Sequence, residues 1–143
     1  MAGSLLLRVV GSVVAMGVLA ACQKALSTAG QRPLATLAGT EWGFAKTAED
    51  TPERFVAFKT GGEVIGTGGC NRFFGNFYQD GRALTFGPLA STKKLCPPPV
   101  MAAERELLDL LGKVRAADAT HLELTLYGAD DAVLAVLQRR DWD

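Results

Sequence analysis

The chain has 143 residues, with 15 Lys or Arg balanced by 15 Asp or Glu and a single histidine. That length supports one hydrophobic core rather than two. The balanced charge excludes a basic field for nucleic acid, an acidic tail, and long-range steering of a charged partner.

Residues 1 to 21 carry one charged side chain, Arg8, and nothing from Val9 to Ala21 is charged. A short positive region followed by an apolar run is the pattern of a signal peptide. The run falls short of the about 20 residues a helix needs to span a bilayer. It ends in Leu19-Ala20-Ala21-Cys22, with small residues where a signal peptidase requires them. This tetrapeptide resembles the bacterial lipobox. The resemblance implies diacylation of the Cys22 thiol and cleavage before it. Two or more acyl chains hold a protein stably on a membrane, whereas one holds it marginally. Gln23 stands where an Asp would favour inner-membrane retention, so in a Gram-negative cell the resemblance implies an outer-membrane anchor with the domain facing the periplasm. Residues 22–36, rich in Ser, Thr, Gly, Gln and Ala with Pro33, read as a flexible tether. The folded domain is expected over 37–140.

Within it, Thr40, Trp42 and Phe44 alternate with Glu41 and Gly43, the period of a half-buried strand. Lys46 to Glu53 is polar, contains Pro52, and reads as a loop. Phe55–Phe58 and Glu63–Thr67 flank Thr60-Gly61-Gly62 and predict a hairpin. A second hairpin is predicted around Asp80-Gly81, between Phe77–Gln79 and Arg82–Phe86, because both turn positions tolerate positive φ.

Pro97, Pro98 and Pro99 close the extended part. From Val100 the pattern turns helical, with Met101, Glu104, Leu107, Leu108 and Leu111 at spacings of three and four. Gly112 suits the position past the helix end, and Lys113 and Arg115 suit its negative pole. Leu122, Leu124 and Leu126 share one face of a strand. Gly128 to Asp131 is a turn, and Val133–Leu137 reads as a more fully buried strand. These elements amount to about six or seven short strands and one helix. Consecutive hairpins favour a mainly β fold with a curved antiparallel sheet, and closing it into a small barrel removes its unpaired edges.

With Cys22 taken by lipid, Cys70 and Cys96 remain as an even pair in an oxidising compartment. A bridge between them contributes about 3 kcal/mol by chain-entropy reasoning. Two buried free thiols are the alternative.

Several pieces fall in a fixed order: Leu37-Ala38-Gly39-Thr40-Glu41-Trp42; Gly68-Gly69-Cys70-Asn71-Arg72-Phe73-Phe74-Gly75-Asn76-Phe77-Tyr78; Leu89-Ala90-Ser91-Thr92-Lys93-Lys94-Leu95-Cys96, with Met101 and Glu104 after it; then Leu122-Glu123-Leu124. The series resembles the META domain family of HslJ-like, heat-shock-associated lipoproteins, over roughly Leu37 to Arg139. The resemblance implies a barrel-like antiparallel fold with one helix, an envelope location, and an association with stress or antibiotic tolerance. It brings no catalytic residues. The stretch Gly75 to Tyr78 is one residue longer than the family pattern. The three prolines and His121 also depart from it.

Read from the residues, the motif is structural. Gly68 and Gly69 permit backbone or close contacts that a side chain forbids. Asn71 bonds nearby backbone and tolerates a left-handed position. Glu104 on the apolar helix face needs donors for its carboxylate.

His121 is the lone histidine, there is no His-Glu-x-x-His and no Cys-x-x-Cys, so no metal site is expected. No Gly-x-Ser-x-Gly elbow or P-loop ending is present. Glu49 with Asp50, and Asp130 with Asp131, read as solvated pairs. Phe73, Phe74, Phe77 and Tyr78 lack interleaved basic residues and read as core, or as the lining of an open barrel mouth.

The expectation is a non-enzymatic envelope lipoprotein domain without a cofactor, bound to membrane through its anchor, not to nucleic acid, with an open protein or ligand partner. A barrel for a lipid, drug or peptide is the alternative, requiring an interior cavity of several hundred Å³. A thiol enzyme using Cys70 or Cys96 is the third reading.

Overall fold

The computed structural model describes residues 36–46 and 51–140. The expected signal peptide, Cys22 and almost all of the tether lie outside the described residues. Among the described residues nine strands and one helix follow in order: β1 (Thr40–Phe44), β2 (Phe55–Phe58), β3 (Glu63–Thr67), β4 (Arg72–Asp80), β5 (Ala83–Phe86), β6 (Ala90–Ser91), α1 (Pro98–Lys113), β7 (Ala116–Ala119), β8 (Glu123–Tyr127) and β9 (Val133–Arg139).

All strand pairs are antiparallel, in the order β3-β2-β1-β9-β8-β7-β5-β4-β6. β3 also pairs with β4, so the sheet closes in a ring, and β6 lies alongside the start of β4. Closure leaves few unpaired edges. The weakest seam joins β5 to β7 through the single register pair Ala83↔Ala116.

Alternation decides what lies inside. Trp42 faces Val56 on β2 and Arg139 on β9, and Leu124 faces Leu137. Trp42, Phe58, Phe73, Leu84, Leu124, Leu126 and Leu137 are fully buried in one cluster. Phe58 and Phe77 meet edge to face at 4.9 Å between ring centres. The buried Trp42 Nε1–H donates to Thr40 Oγ1 at 2.6 Å, and that hydroxyl donates to the Leu37 carbonyl at 2.6 Å. No polar atom of that chain is left without a partner.

Helix α1 buries Glu104, Leu107 and Leu111, positions i, i+3 and i+7 of one face, and the two leucines join the ring's core. It begins at Pro98, earlier than the apolar period suggests. Proline is tolerated in a first turn, where its missing N–H has no helical partner anyway. It runs through Gly112 to Lys113 instead of ending before the glycine. The exposed carbonyls there are satisfied by Arg115, whose Nη1 donates to Gly112 O at 3.0 Å and Val114 O at 2.7 Å.

Four details differ from the sequence expectation. β6 and β7 are additional strands, too short or too alanine-rich to show a period. The β4–β5 turn is Gly81-Arg82, one residue later than expected, with the positive φ (56°) on Gly81. Val133 and Val136 of β9 are exposed, because the strand alternates and carries a register shift opposite Leu126/Tyr127. Leu122 precedes β8 and is exposed, unlike Leu124 and Leu126.

Candidate functional site

The connection from β3 to β4 is Gly68-Gly69-Cys70-Asn71, and it turns directly beneath α1. Gly69 has φ of 111°, a conformation open to glycine and strained for other residues. A side chain at Gly68 would place its Cβ 2.5 Å from Glu104 Cγ. One glycine is therefore needed for backbone conformation, its neighbour for close approach.

Three N–H groups converge on the Glu104 carboxylate. Asn71 N–H donates to Oε2 at 2.6 Å, Cys70 N–H to the same oxygen at 3.3 Å, and Asn71 Nδ2 to Oε1 at 2.8 Å. Glu104 is 5% exposed and Asn71 is 3% exposed. Among the described residues no basic side chain pairs with Glu104, so these hydrogen bonds carry its burial.

The Asn71 carboxamide is used on both ends. Its Oδ1 accepts from Thr92 Oγ1 at 2.9 Å and from Lys94 N–H at 2.6 Å, and its Nδ2 also donates to Lys94 O at 3.4 Å. This set fixes the amide orientation, since a flipped group would meet Lys94 N–H with a donor. Thr92 Oγ1 in turn accepts from Arg72 N–H at 3.2 Å, and Thr92 N–H donates to Arg72 O at 3.0 Å. Thr67 Oγ1 donates to Asn71 O at 3.0 Å and accepts from Gly69 N–H at 3.2 Å. Cys70 and Cys96 form a disulfide with Cα atoms 6.0 Å apart.

The structure thus gathers Gly69, Cys70, Asn71, Cys96 and Glu104 at one end of the ring. It adds Thr67, Thr92 and the Lys94 backbone, which sequence reading did not single out individually. Thr92 belongs to the Leu89–Cys96 stretch that carries the family resemblance, but nothing in its local pattern marks its partner, 21 positions away. Phe73 and Phe77 are core residues, whereas Phe74 and Tyr78 point outward at 53% and 64% exposure. His121 is exposed in the connection before β8 rather than at a strand start.

A second feature lies at the weak β5–β7 seam. A depression of about 370 Å³ is lined by Leu37, Gln79, Arg82, Ala117, Thr120 and Glu123 among others. Gln79 on its lining accepts Leu37 N–H at 2.8 Å and donates to Gly81 O at 3.1 Å. Beside it, the exposed Arg82 bonds Asp118 at 3.0 Å and Asp131 at 2.9 Å and stacks over the Tyr127 ring at 4.6 Å. Its hydrogen bonds to Asp131 and then Asp118 push its pKa further up, so it stays charged throughout the accessible range. These charges satisfy each other. Among the described residues no group of three or more His, Cys, Asp and Glu side chains has the arrangement to hold a metal ion.

A closed antiparallel ring, an inward-facing helix and a polar knot at the β3–β4 turn define a small packed β domain. The chain belongs to the META domain family, whose pattern matches residues 35–141. In fold it is similar to a protein from Burkholderia xenovorans solved by NMR, at 21% identity and a TM-score of 0.61, over 73% of this chain and 84% of that one. A second NMR structure matches at 22% identity with a TM-score of 0.55, over 73% and 90% of the two chains. A crystal structure of a DUF4847 family protein from Bacteroides vulgatus matches at 13% identity with a TM-score of 0.51, over 75% and 96%. No curated protein matches the chain.

Proposed function

We propose that this META domain is a non-enzymatic, lipid-anchored module of the bacterial cell envelope, exported and held through Cys22 on the periplasmic face of the outer membrane. The observation that carries the reading is Cys22 itself, set directly after Leu19-Ala20-Ala21 at the end of an uncharged run. The Cys70–Cys96 bridge supports it, because disulfides persist in oxidising compartments and are rare in the reducing cytosol. A role in stress or antibiotic tolerance follows the same family reading. The alternative of a ligand-holding barrel interior is disfavoured by the ring's filling of Trp42, Phe58, Phe73, Leu107 and Leu111. A thiol enzyme is disfavoured because both domain cysteines are bonded to each other.

The test is the intact mass of the protein recovered from its native envelope, with free thiols titrated under denaturation. The expected product begins at Cys22, carries acyl chains, and shows no free thiol. An unprocessed, reduced polypeptide in the cytosol would refute the reading.

A further inference from the structure

The segment after β6 is held out from the domain rather than left loose. Asn71 fixes the backbone of Lys94 through both its N–H and its carbonyl, and the disulfide fixes Cys96. Between these two attachments Leu95 is 96% exposed, well above every other large exposed apolar side chain of the described residues. Pro97, Pro98 and Pro99 follow it and are exposed as well. A leucine tip restrained on both sides is unable to fold back onto the core.

Its surroundings are basic. Lys93 and Lys94 precede it, Arg72 pairs with the same segment, and all three are exposed. No Asp or Glu occurs between Asp80 and Glu104, and the first turn of α1 contains no acid. Glu104, which reaches the Asn71 side chain that holds Lys94, is itself buried among its three donors.

An apolar tip flanked by exposed cations suits an interface with acyl chains below and anionic headgroups above. We infer that the Lys93-Lys94-Leu95 tip docks the domain onto an anionic phospholipid surface. This rests on the anchored reading above. A tether of 14 residues from Cys22 to the domain reaches at most about 50 Å when extended, so the tip is confined near a bilayer at high effective concentration.

The test uses the acylated chain, purified from the envelope and reconstituted into vesicles containing brominated lipids. Leu95→Trp is the reporter, and the unsubstituted chain supplies the background from Trp42 and Trp142. In phosphatidylglycerol-rich vesicles the added indole emission should fall by about half. The quenching should vanish in about 0.5 M salt, with Lys93→Glu/Lys94→Glu, and in pure phosphatidylcholine vesicles.

An acylated chain with an unquenched reporter overturns the docking while leaving the anchor intact. Equal quenching on both vesicle types overturns the assignment to an anionic surface. A chain without acyl groups overturns the anchor, and quenching on phosphatidylglycerol would then still support the contact. A photo-crosslink from position 95 to an envelope protein instead of lipid also overturns the inference.

Discussion

Replacing Glu104 by Gln keeps the size and shape of the side chain and changes only its hydrogen-bonding character. The cheapest placement puts the amide oxygen at the Oε2 position, facing the Asn71 and Cys70 N–H groups at 2.6 and 3.3 Å. The new NH₂ then faces Asn71 Nδ2, 2.8 Å away, donor against donor. Asn71 has no relief by flipping, because its Oδ1 already accepts Lys94 N–H at 2.6 Å. One buried donor loses its partner, at about 1–3 kcal/mol, and the two remaining bonds fall from charge-assisted to neutral. The total is about 3 kcal/mol, a large share of the 5–15 kcal/mol that holds a domain folded. Urea unfolding with the disulfide intact measures it. With a slope of about 1.5–2 kcal/mol/M, the midpoint should drop by about 1.5–2 M at unchanged slope. Glu106→Gln, on the exposed side of the same helix, is the control and should stay within about 0.5 kcal/mol. If Glu104→Gln moves the midpoint no more than this control, the network does not hold the helix to the β3–β4 turn.

Other substitutions test separate parts of the same account. Gly69→Ala forces a side chain into φ of 111° and should destabilise by about 1–3 kcal/mol in the same urea assay. Gly112→Ala should stabilise by about 0.5–1 kcal/mol, raising the thermal midpoint, since it is helical and nothing lies within 4 Å of its added methyl. Replacing both Cys70 and Cys96 by Ser, at a separation of 26 residues, should cost about 3 kcal/mol by loop entropy; calorimetry showing a loss under about 1 kcal/mol would contradict that. Leu111→Ala, on the inner face of α1 and wholly buried, should cost about 2–5 kcal/mol, read from the denaturation midpoint.

The hairpins were legible because short apolar or alternating runs flank turns that contain Gly with Thr or Asp. The helix was legible from Leu107, Leu108 and Leu111, and Glu104 stood out as a polar residue on their stripe. β7 was not, since Ala116-Ala117-Asp118-Ala119 has no contrast between its faces. The sheet's closure was expected, but the particular pairing of β1 with β9 was not legible, because a pairing between the two ends of the domain leaves no local trace. The same holds for the polar knot. Lys94 takes part through its backbone N–H and carbonyl, groups that every non-proline residue carries, so no residue type signals them. Val133–Leu137 misled for the opposite reason: a run of apolar residues conceals its own alternation, and Val133 and Val136 emerge on the outer face.

The disulfide and the Glu104–Asn71 network attach the same segment, yet they act on different states of the chain. The bridge shortens the unfolded ensemble and supplies no acceptor for a buried N–H. The network has no hold on the unfolded chain, but in the folded one it satisfies the Cys70 and Asn71 donors that the glycine turn directs toward α1. Neither replaces the other. A reduced protein should keep Leu95 in place while unfolding at lower denaturant, because Asn71 still grips Lys94. An oxidised Asn71→Ala protein keeps the covalent link at Cys96 but releases the Lys94 backbone and leaves the Thr92 hydroxyl without its acceptor. Hydrogen exchange separates the two: the Lys94 amide stays protected on reduction and loses protection in Asn71→Ala, and the reverse pattern would place the restraint of the tip in the disulfide alone.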